Sequence, residues 1–265
     1  MDYKKLTKPY LRPLLKDLEQ LVEIPSVYDS KTSSINKPYG DNVDKVLSAF
    51  AKFGKNNGFK VERNKRYVEL SYGKGPIVGV FGHLDVVPSN KDIFKVTRRG
   101  DKIMGRGVSD DKGAAVASMY ALKYLIDEKY PFKKKVRLIL GCNEETGSLC
   151  IKHYVEKEGH INYGFTPDGD FPGIYAEKGM IGGKIVGHNS KIISIEGGEA
   201  SNVVCKKVSA KLPIDSFDID KLTNYLDKHD IKYDISFEDV ITLTTFGVAA
   251  HASTPDLGTN AISYM

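Results

Sequence analysis

Pro76-Ile77-Val78-Gly79-Val80-Phe81-Gly82-His83-Leu84-Asp85-Val86-Val87-Pro88 is the stretch on which the fold turns. Its first six residues form a continuous apolar run, as expected of a strand covered on both faces. The run empties into a glycine, an imidazole and a carboxylate, and in open α/β sheets ligands bind beyond the carboxyl ends of the strands. The same arrangement recurs downstream. Val136–Leu140 (VRLIL) is a second buried run, followed at once by Gly141-Cys142-Asn143-Glu144-Glu145-Thr146-Gly147. A shorter run, Tyr163–Thr166, leads into Pro167-Asp168-Gly169-Asp170.

Helical patterns separate these runs. Leu14, Leu15, Leu18, Leu21 and Val22 predict a helix over Leu11–Ile24 that stops at Pro25. A second helix opens at Asp41, a good N-cap, buries Val43, Val46, Leu47, Phe50 and Phe53, and exits near Gly58. Lys60–Arg63 and Tyr67–Ser71 read as paired strands. Past the glycine-punctuated loop Gly105–Gly113, helices are expected over Ala114–Ile126 and Ser148–Glu158. Strands alternating with helices predict an α/β domain with a mixed, largely parallel sheet and helices on both faces. After about Lys178 the texture changes. Met180–Val186, Ile192–Ile195, Val208–Leu212, Ile235–Glu238 and Val240–Thr245 alternate or are β-branched, with one helix at Asp220–His229. That pattern predicts a smaller α+β unit with a mostly antiparallel sheet. Domains are therefore expected at 1–180 and 181–265.

Bulk properties narrow the classes. The 265 residues are 41% hydrophobic and 28% charged, ordinary values for a globular protein. The formal charge of +5 is mild, and many lysines lie beside acids, so neither a nucleic-acid partner nor a membrane is expected. The Lys133–Lys135 run fits a gatekeeper of the strand that follows it. The three cysteines, Cys142, Cys150 and Cys205, form no paired framework. A reduced, cytoplasmic protein is expected. The N-terminal stretch breaks its apolar residues with charges, unlike a signal peptide, and no run reaches membrane-spanning length.

Each acidic segment has a plain structural reading. His83 could be a satisfied strand-end histidine, and Ser109 or Asp110 an N-cap with Asp111 favouring the helix dipole. Glu144 and Glu145 could belong to a capping arrangement before Ser148, and Pro167-Asp168-Gly169 to a turn. Taken together, however, one imidazole and several carboxylates stand at consecutive strand ends. Adjacent acids tolerate one pocket only when a cation neutralises them. This is ligand chemistry for a divalent ion, best Zn²⁺, with Mn²⁺ or Co²⁺ as alternatives.

The ordered segments GHLDVVP, GRGVSDDKG, GCNEETG and TPDGDFP, with GGEASNVV and AAHASTPDLGTNA after them, resemble the aminoacylase/carboxypeptidase family of dinuclear zinc peptidases, and within it the PepV-type bacterial dipeptidases. The resemblance implies that His83, Asp110, Glu145 and Asp168 bind two zinc ions, with Asp110 bridging them. It implies that Asp85 orients His83 and that Glu144 is the general base for a metal-bridged water. It further implies that His251, in a lid domain, helps stabilise the oxyanion and that Asn202 binds near the substrate's carboxylate end. A cis peptide is expected after Asp110. The family carries proline where this chain has Cys205.

On this resemblance the chain is expected to be a zinc-dependent metallopeptidase that hydrolyses the peptide bond of dipeptides, or an amidase of another N-acyl amino acid. The family's lid is an insertion, after which the catalytic domain resumes and supplies a distal histidine. Met265 falls inside an expected lid helix after Pro255, and His153, His160, His188 and His229 have no ligand partner in the sequence pattern. The alternative expectation is thus a truncated, impaired remnant, or half of a split peptidase needing a complementing chain.

Overall fold

Alternation along the central strands decides what covers each face of the sheet. A computed structural model describes residues 3–265 except 90, 162, 171, 180, 185, 188–190 and 217. Helices α1 (Tyr3–Val22) and α2 (Asp41–Asn56) precede strands β1 (Lys60–Arg63), β2 (Tyr67–Tyr72) and β3 (Ile77–His83). A hairpin, β4 (Thr97–Arg99) and β5 (Lys102–Met104), leads to α3 (Lys112–Asp127), β6 (Lys135–Gly141), α4 (Leu149–Glu158) and β7 (Gly164–Phe165). The sheet order is β1-β2-β6-β3-β7. The β1–β2 and β2–β6 pairs are antiparallel, and β6, β3 and β7 run parallel.

Successive side chains of a strand point to opposite faces. Val68, Leu70, Val80, Leu138 and Leu140 accordingly join one buried cluster with Leu21 of α1, Phe50 of α2 and Met119 of α3. The intervening Tyr67 and Ile139 pack with Tyr154 of α4 on the other face, with Phe81 against them. Tyr67 meets Tyr154 edge to face at 4.9 Å. Helices thus cover both faces, as the apolar runs predict.

Some details of these elements depart from the sequence reading, among them the start of α2, whose N-cap is Gly40 with Asp41 the first helical residue. Helix α1 begins well before Leu11 and runs through Pro9 and Pro13. Its first turns are mostly exposed, so they carry no apolar stripe to reveal them. The β4–β5 hairpin lies in a polar stretch without alternation and was not expected.

The chain falls into two compact units, Met1–Ile174 and Tyr175–Met265. The second holds strands β8 (Ser194–Gly197), β9 (Lys207–Leu212), β10 (Tyr233–Phe237) and β11 (Ile241–Phe246), with helix α5 (Ile219–Lys228). Its sheet order is β10-β11-β9-β8, antiparallel throughout. Of the expected strand Met180–Val186, residues 180 and 185 lie outside the described residues, and the described remainder carries no strand. The helix expected after Pro255 is instead two 3₁₀ turns, Pro255–Leu257 and Ala261–Tyr264. Between them Gly258 is extended and Thr259 exchanges both backbone hydrogen bonds with Val248, which stops a continuous helical ladder. No described helix is long and apolar enough to cross a membrane.

Candidate metal centre

Strand register brings the acidic segments level with one another. His83, the last residue of β3, lies opposite Gly141, the last of β6. Val80 lies opposite Phe165 of β7, so three residues further along each chain come His83 and Asp168. Leu84 N–H donates to Gly141 O at 3.0 Å and keeps the two exits side by side. The Asp110–Asp111 pair enters from the start of α3.

His83 is 2% exposed. Its Nδ1 lies 3.0 Å from the Asp85 carbonyl oxygen and 3.4 Å from Asp85 Oδ1, both acceptors. Its Nε2 faces Asp110 Oδ1 at 3.0 Å, Asp168 Oδ2 at 3.4 Å and Glu144 Oε2 at 3.9 Å. Burial opposes a charge on this ring. Hydrogen bonds to Asp110 and Asp85 outweigh it and push the pKa up to about 11. The buried Asp85 carboxylate also accepts the backbone N–H groups of Glu144 and Glu145, each at 3.1 Å. It therefore shapes the glutamate loop as well as facing the imidazole.

The two aspartates divide differently from the sequence reading. A cis peptide joins Asp110 to Asp111. Asp110, 63% exposed at its side chain, meets His83 Nε2. Asp111 is fully buried at the N-cap position of α3 but makes no side-chain capping bond. Its Oδ2 instead accepts the His83 backbone N–H at 2.9 Å, and its Oδ1 is buried without a partner. Burial raises the Asp111 pKa to about 7, with the His83 N–H bond opposing the shift. Burial likewise raises Glu145 to about 7, with Asp110 adding to it. Glu144 and Asp168 are also raised, chiefly by burial, while the hydrogen bond from His83 lowers Asp110. Capping of α4 falls to Asn143, whose Oδ1 accepts Leu149 N–H at 2.9 Å, so neither glutamate is used there.

An orphaned carboxylate oxygen in a buried site demands a donor or a cation. The donor set suits a cation. Ligand atoms of His83, Asp111 and Asp168 lie within 4.8 Å of one another, as do those of His83, Glu144 and Glu145. One imidazole with carboxylate oxygens is a donor set for zinc or a neighbouring divalent ion. Asp111 is the residue that the sequence reading left to the helix dipole. Gly82 makes room for it, since any Cβ there would sit 2.4 Å from Asp111 Oδ2. Among the described residues, His153, His160, His229 and His251 join no such group.

The profile of a family described as Peptidase family M20/M25/M40 matches residues 79–256, from mid-β3 to beyond His251. The chain belongs to this peptidase family. Among curated relatives, the Bacillus subtilis protein named "Putative dipeptidase YtjP" is 32% identical, covering 94% of this chain and 57% of its own length. The Staphylococcus haemolyticus protein SH1171, of the same designation, is 30% identical, covering 99% of this chain and 60% of its own. The chain thus spans somewhat more than half the length of the curated relatives it matches. Among solved structures, human carnosine dipeptidase 1 aligns over 63% of this chain and 40% of its own at 20% identity. Its TM-score of 0.52 marks a likeness of fold.

In the second unit Asn202 and His251 are brought together. Val203 and His251 form an antiparallel bridge, and Ala252 N–H donates to Asn202 O at 2.8 Å. His251 Nδ1 accepts Ser253 N–H at 3.2 Å and lies 2.7 Å from Ser253 Oγ. An accepting Nδ1 leaves the neutral ring with its hydrogen on Nε2. Cys205, where the family carries proline, is buried with its thiol on Lys207 O, and its carbonyl accepts Ala261 N–H.

Proposed function

We propose that the chain is the ligand-bearing part of a zinc-dependent dipeptidase. The observation that carries the reading is the convergence on His83 Nε2 of Asp110, Asp168 and Glu144, beside the unpartnered Asp111 Oδ1. Two relatives designated as dipeptidases support the choice of substrate class. His83, Asp168 and the Asp110–Asp111 pair would hold one ion, and Glu145 together with Asp110 would contribute to a second. Such an ion supplies Lewis acidity at the scissile carbonyl. Asp85 fixes the His83 ring through Nδ1, which leaves Nε2 as the ligand nitrogen. Glu144, half-exposed and raised in pKa by burial, suits a general base that takes a proton from the attacking water and passes it to the leaving amine. The resemblance assigns the developing oxyanion to His251, which carries its hydrogen on Nε2, and the substrate's carboxylate end to Asn202.

The test is release of free amino acids from dipeptides by the purified chain with Zn²⁺, Mn²⁺ or Co²⁺. The Glu144→Ala variant should release them about 10²–10⁴-fold more slowly, and equal activity in both proteins refutes the reading. A second reading has its own support. Among the described residues, both ligand groups share the single imidazole of His83. In that reading a further imidazole, from another segment or a complementing chain, completes the second ion's site. Metal titration should then give one firm site and one weak one, and two equal tight sites refute it.

A further inference from the structure

Ser26 lies outside every acidic segment, 58 residues before Leu84, yet it grips the centre of the metal site from behind. It is fully buried. Its Oγ donates to Leu84 O at 2.6 Å, and its carbonyl accepts Val86 N–H at 3.1 Å. These two groups belong to the peptide planes on either side of Asp85. Holding both planes fixes the rotation of the Asp85 backbone, and three contacts of the site depend on that rotation. They are the Asp85 carbonyl on His83 Nδ1 and the Asp85 carboxylate oxygens on the amides of Glu144 and Glu145.

The segment that carries Ser26 is itself fixed. Ile24 O accepts both Ser26 N–H and Lys112 Nζ, each at 2.8 Å, and Pro25 between them locks its own φ. Lys112 follows Asp111 directly, is fully buried, and places its second Nζ bond on Leu21 O at 2.9 Å, at the end of α1. Its stem passes Gly107, where a Cβ would come within 2.9 Å of Lys112 Cδ. The loop that supplies Asp110 and Asp111 and the loop that supplies Asp85 are therefore tied to one short strap, residues 24–26. An Oγ–H on a carbonyl and an Nζ donor on two carbonyls are directional, buried contacts, and losing either leaves acceptors unpaired.

We infer that Ser26 is a positioning residue of the metal centre, acting through Asp85, with Lys112 anchoring the strap it sits on. The inference rests on the metal reading proposed above. The experiment is a Co²⁺ titration of the purified chain, followed by the visible absorption of the bound ion, for the parent, Ser26→Ala, Lys112→Met and Tyr154→Phe proteins. Tyr154→Phe removes a buried hydroxyl that bonds Glu69 on the other sheet face, so it controls for general destabilisation. All are compared at a temperature where circular dichroism shows each folded. Loss of a partner that orients a ligand typically weakens metal binding 10–100-fold. Ser26→Ala should therefore weaken Co²⁺ binding about tenfold and alter the absorption band, and Lys112→Met should act in the same direction. Tyr154→Phe should keep the parent's affinity within about twofold, since it touches none of these groups. If Lys112→Met does not fold, Ser26→Ala decides alone. Parent-like affinity and band in Ser26→Ala overturn the inference, as does an equal loss in Tyr154→Phe. A parent chain that binds no Co²⁺ overturns the metal reading and this inference with it.

Discussion

Gly82→Ala places one methyl group against the buried Asp111 carboxylate. The added Cβ would lie 2.4 Å from Asp111 Oδ2 and 3.1 Å from Leu140 Cδ2, where ordinary contact begins near 3.4 Å. The carboxylate must therefore retreat by 3.4 − 2.4, about 1 Å. It sits 2.9 Å from the His83 N–H it accepts, so that retreat carries the pair beyond hydrogen-bonding distance. Overpacking a filled interior costs roughly 1–3 kcal/mol. Breaking a buried bond to a charged group costs a further ~1.5–3 kcal/mol, although relaxation of β3 shares the two terms, so roughly 2–4 kcal/mol is expected in all. Urea unfolding of the metal-free protein reads the stability, and Co²⁺ titration reads the site. Gly182→Ala, at a position with nothing within 4 Å, serves as the neutral control. Gly82→Ala should lose that stability and bind Co²⁺ at least tenfold more weakly than the parent. A variant within about 0.5 kcal/mol and twofold of the parent would refute the packing argument, because Asp111 would then not stand where Gly82 alone makes room.

Glu144→Ala should reduce dipeptide hydrolysis by about 10²–10⁴-fold while leaving Co²⁺ affinity within a few-fold, and a parallel loss of metal would make Glu144 a ligand instead of a base. Asp111 and Glu145 titrate near 7 in the folded chain, above their ordinary 3.8 and 4.5. Their contribution is therefore full below the unfolded values and lost as pH rises through about 7, so the metal-free chain should be less stable at about pH 8 than at about pH 5, by roughly 2–3 kcal/mol from the buried Asp111 with a smaller, solvent-screened share from the more exposed Glu145. Added Zn²⁺ should reverse that trend with release of protons, and a metal-free stability that rises from pH 5 to pH 8 contradicts it. Tyr154→Phe strips Glu69 of a 2.9 Å donor in the α4-facing core, and thermal unfolding should show a loss of about 1–3 kcal/mol; no loss would mean that Arg137 satisfies Glu69 alone.

The sheet was legible because β3 and β6 are apolar on both faces, and a run such as PIVGVF has few other uses. Their ends were legible for the same reason, since His83 and Glu144 follow where the apolar residues stop. What stayed hidden was set by three-dimensional contact. Choosing between Asp110 and Asp111 depends on which carboxylate the turn before α3 buries, and adjacent residues carry no periodic signal for that. Asn143 caps α4 from six residues away, whereas the sequence reading offered Glu144 and Glu145 for a capping arrangement before Ser148. Ser26 looks like any polar residue after a proline. The β4–β5 hairpin and the 3₁₀ turns after Pro255 lack a stripe or an alternation to announce them.

Parallel register is what converts four separate chain segments into one centre. His83 stands opposite Gly141, and Asp168 follows Phe165 by the three residues that separate His83 from Val80. A shift of β6 by one residue would turn every side chain to the other face, sending Leu138 and Leu140 out of the helix-covered core and Ile139 into it. The same shift would carry the Glu144 and Glu145 amides off the Asp85 carboxylate. Core packing and ligand geometry therefore select the same register. The interactions that oppose the folded state are concentrated among the carboxylates around His83, where burial and mutual repulsion raise the pKa of Asp111 and Glu145. A cation bound there removes that repulsion, so metal binding and folding of the strand ends are expected to reinforce each other.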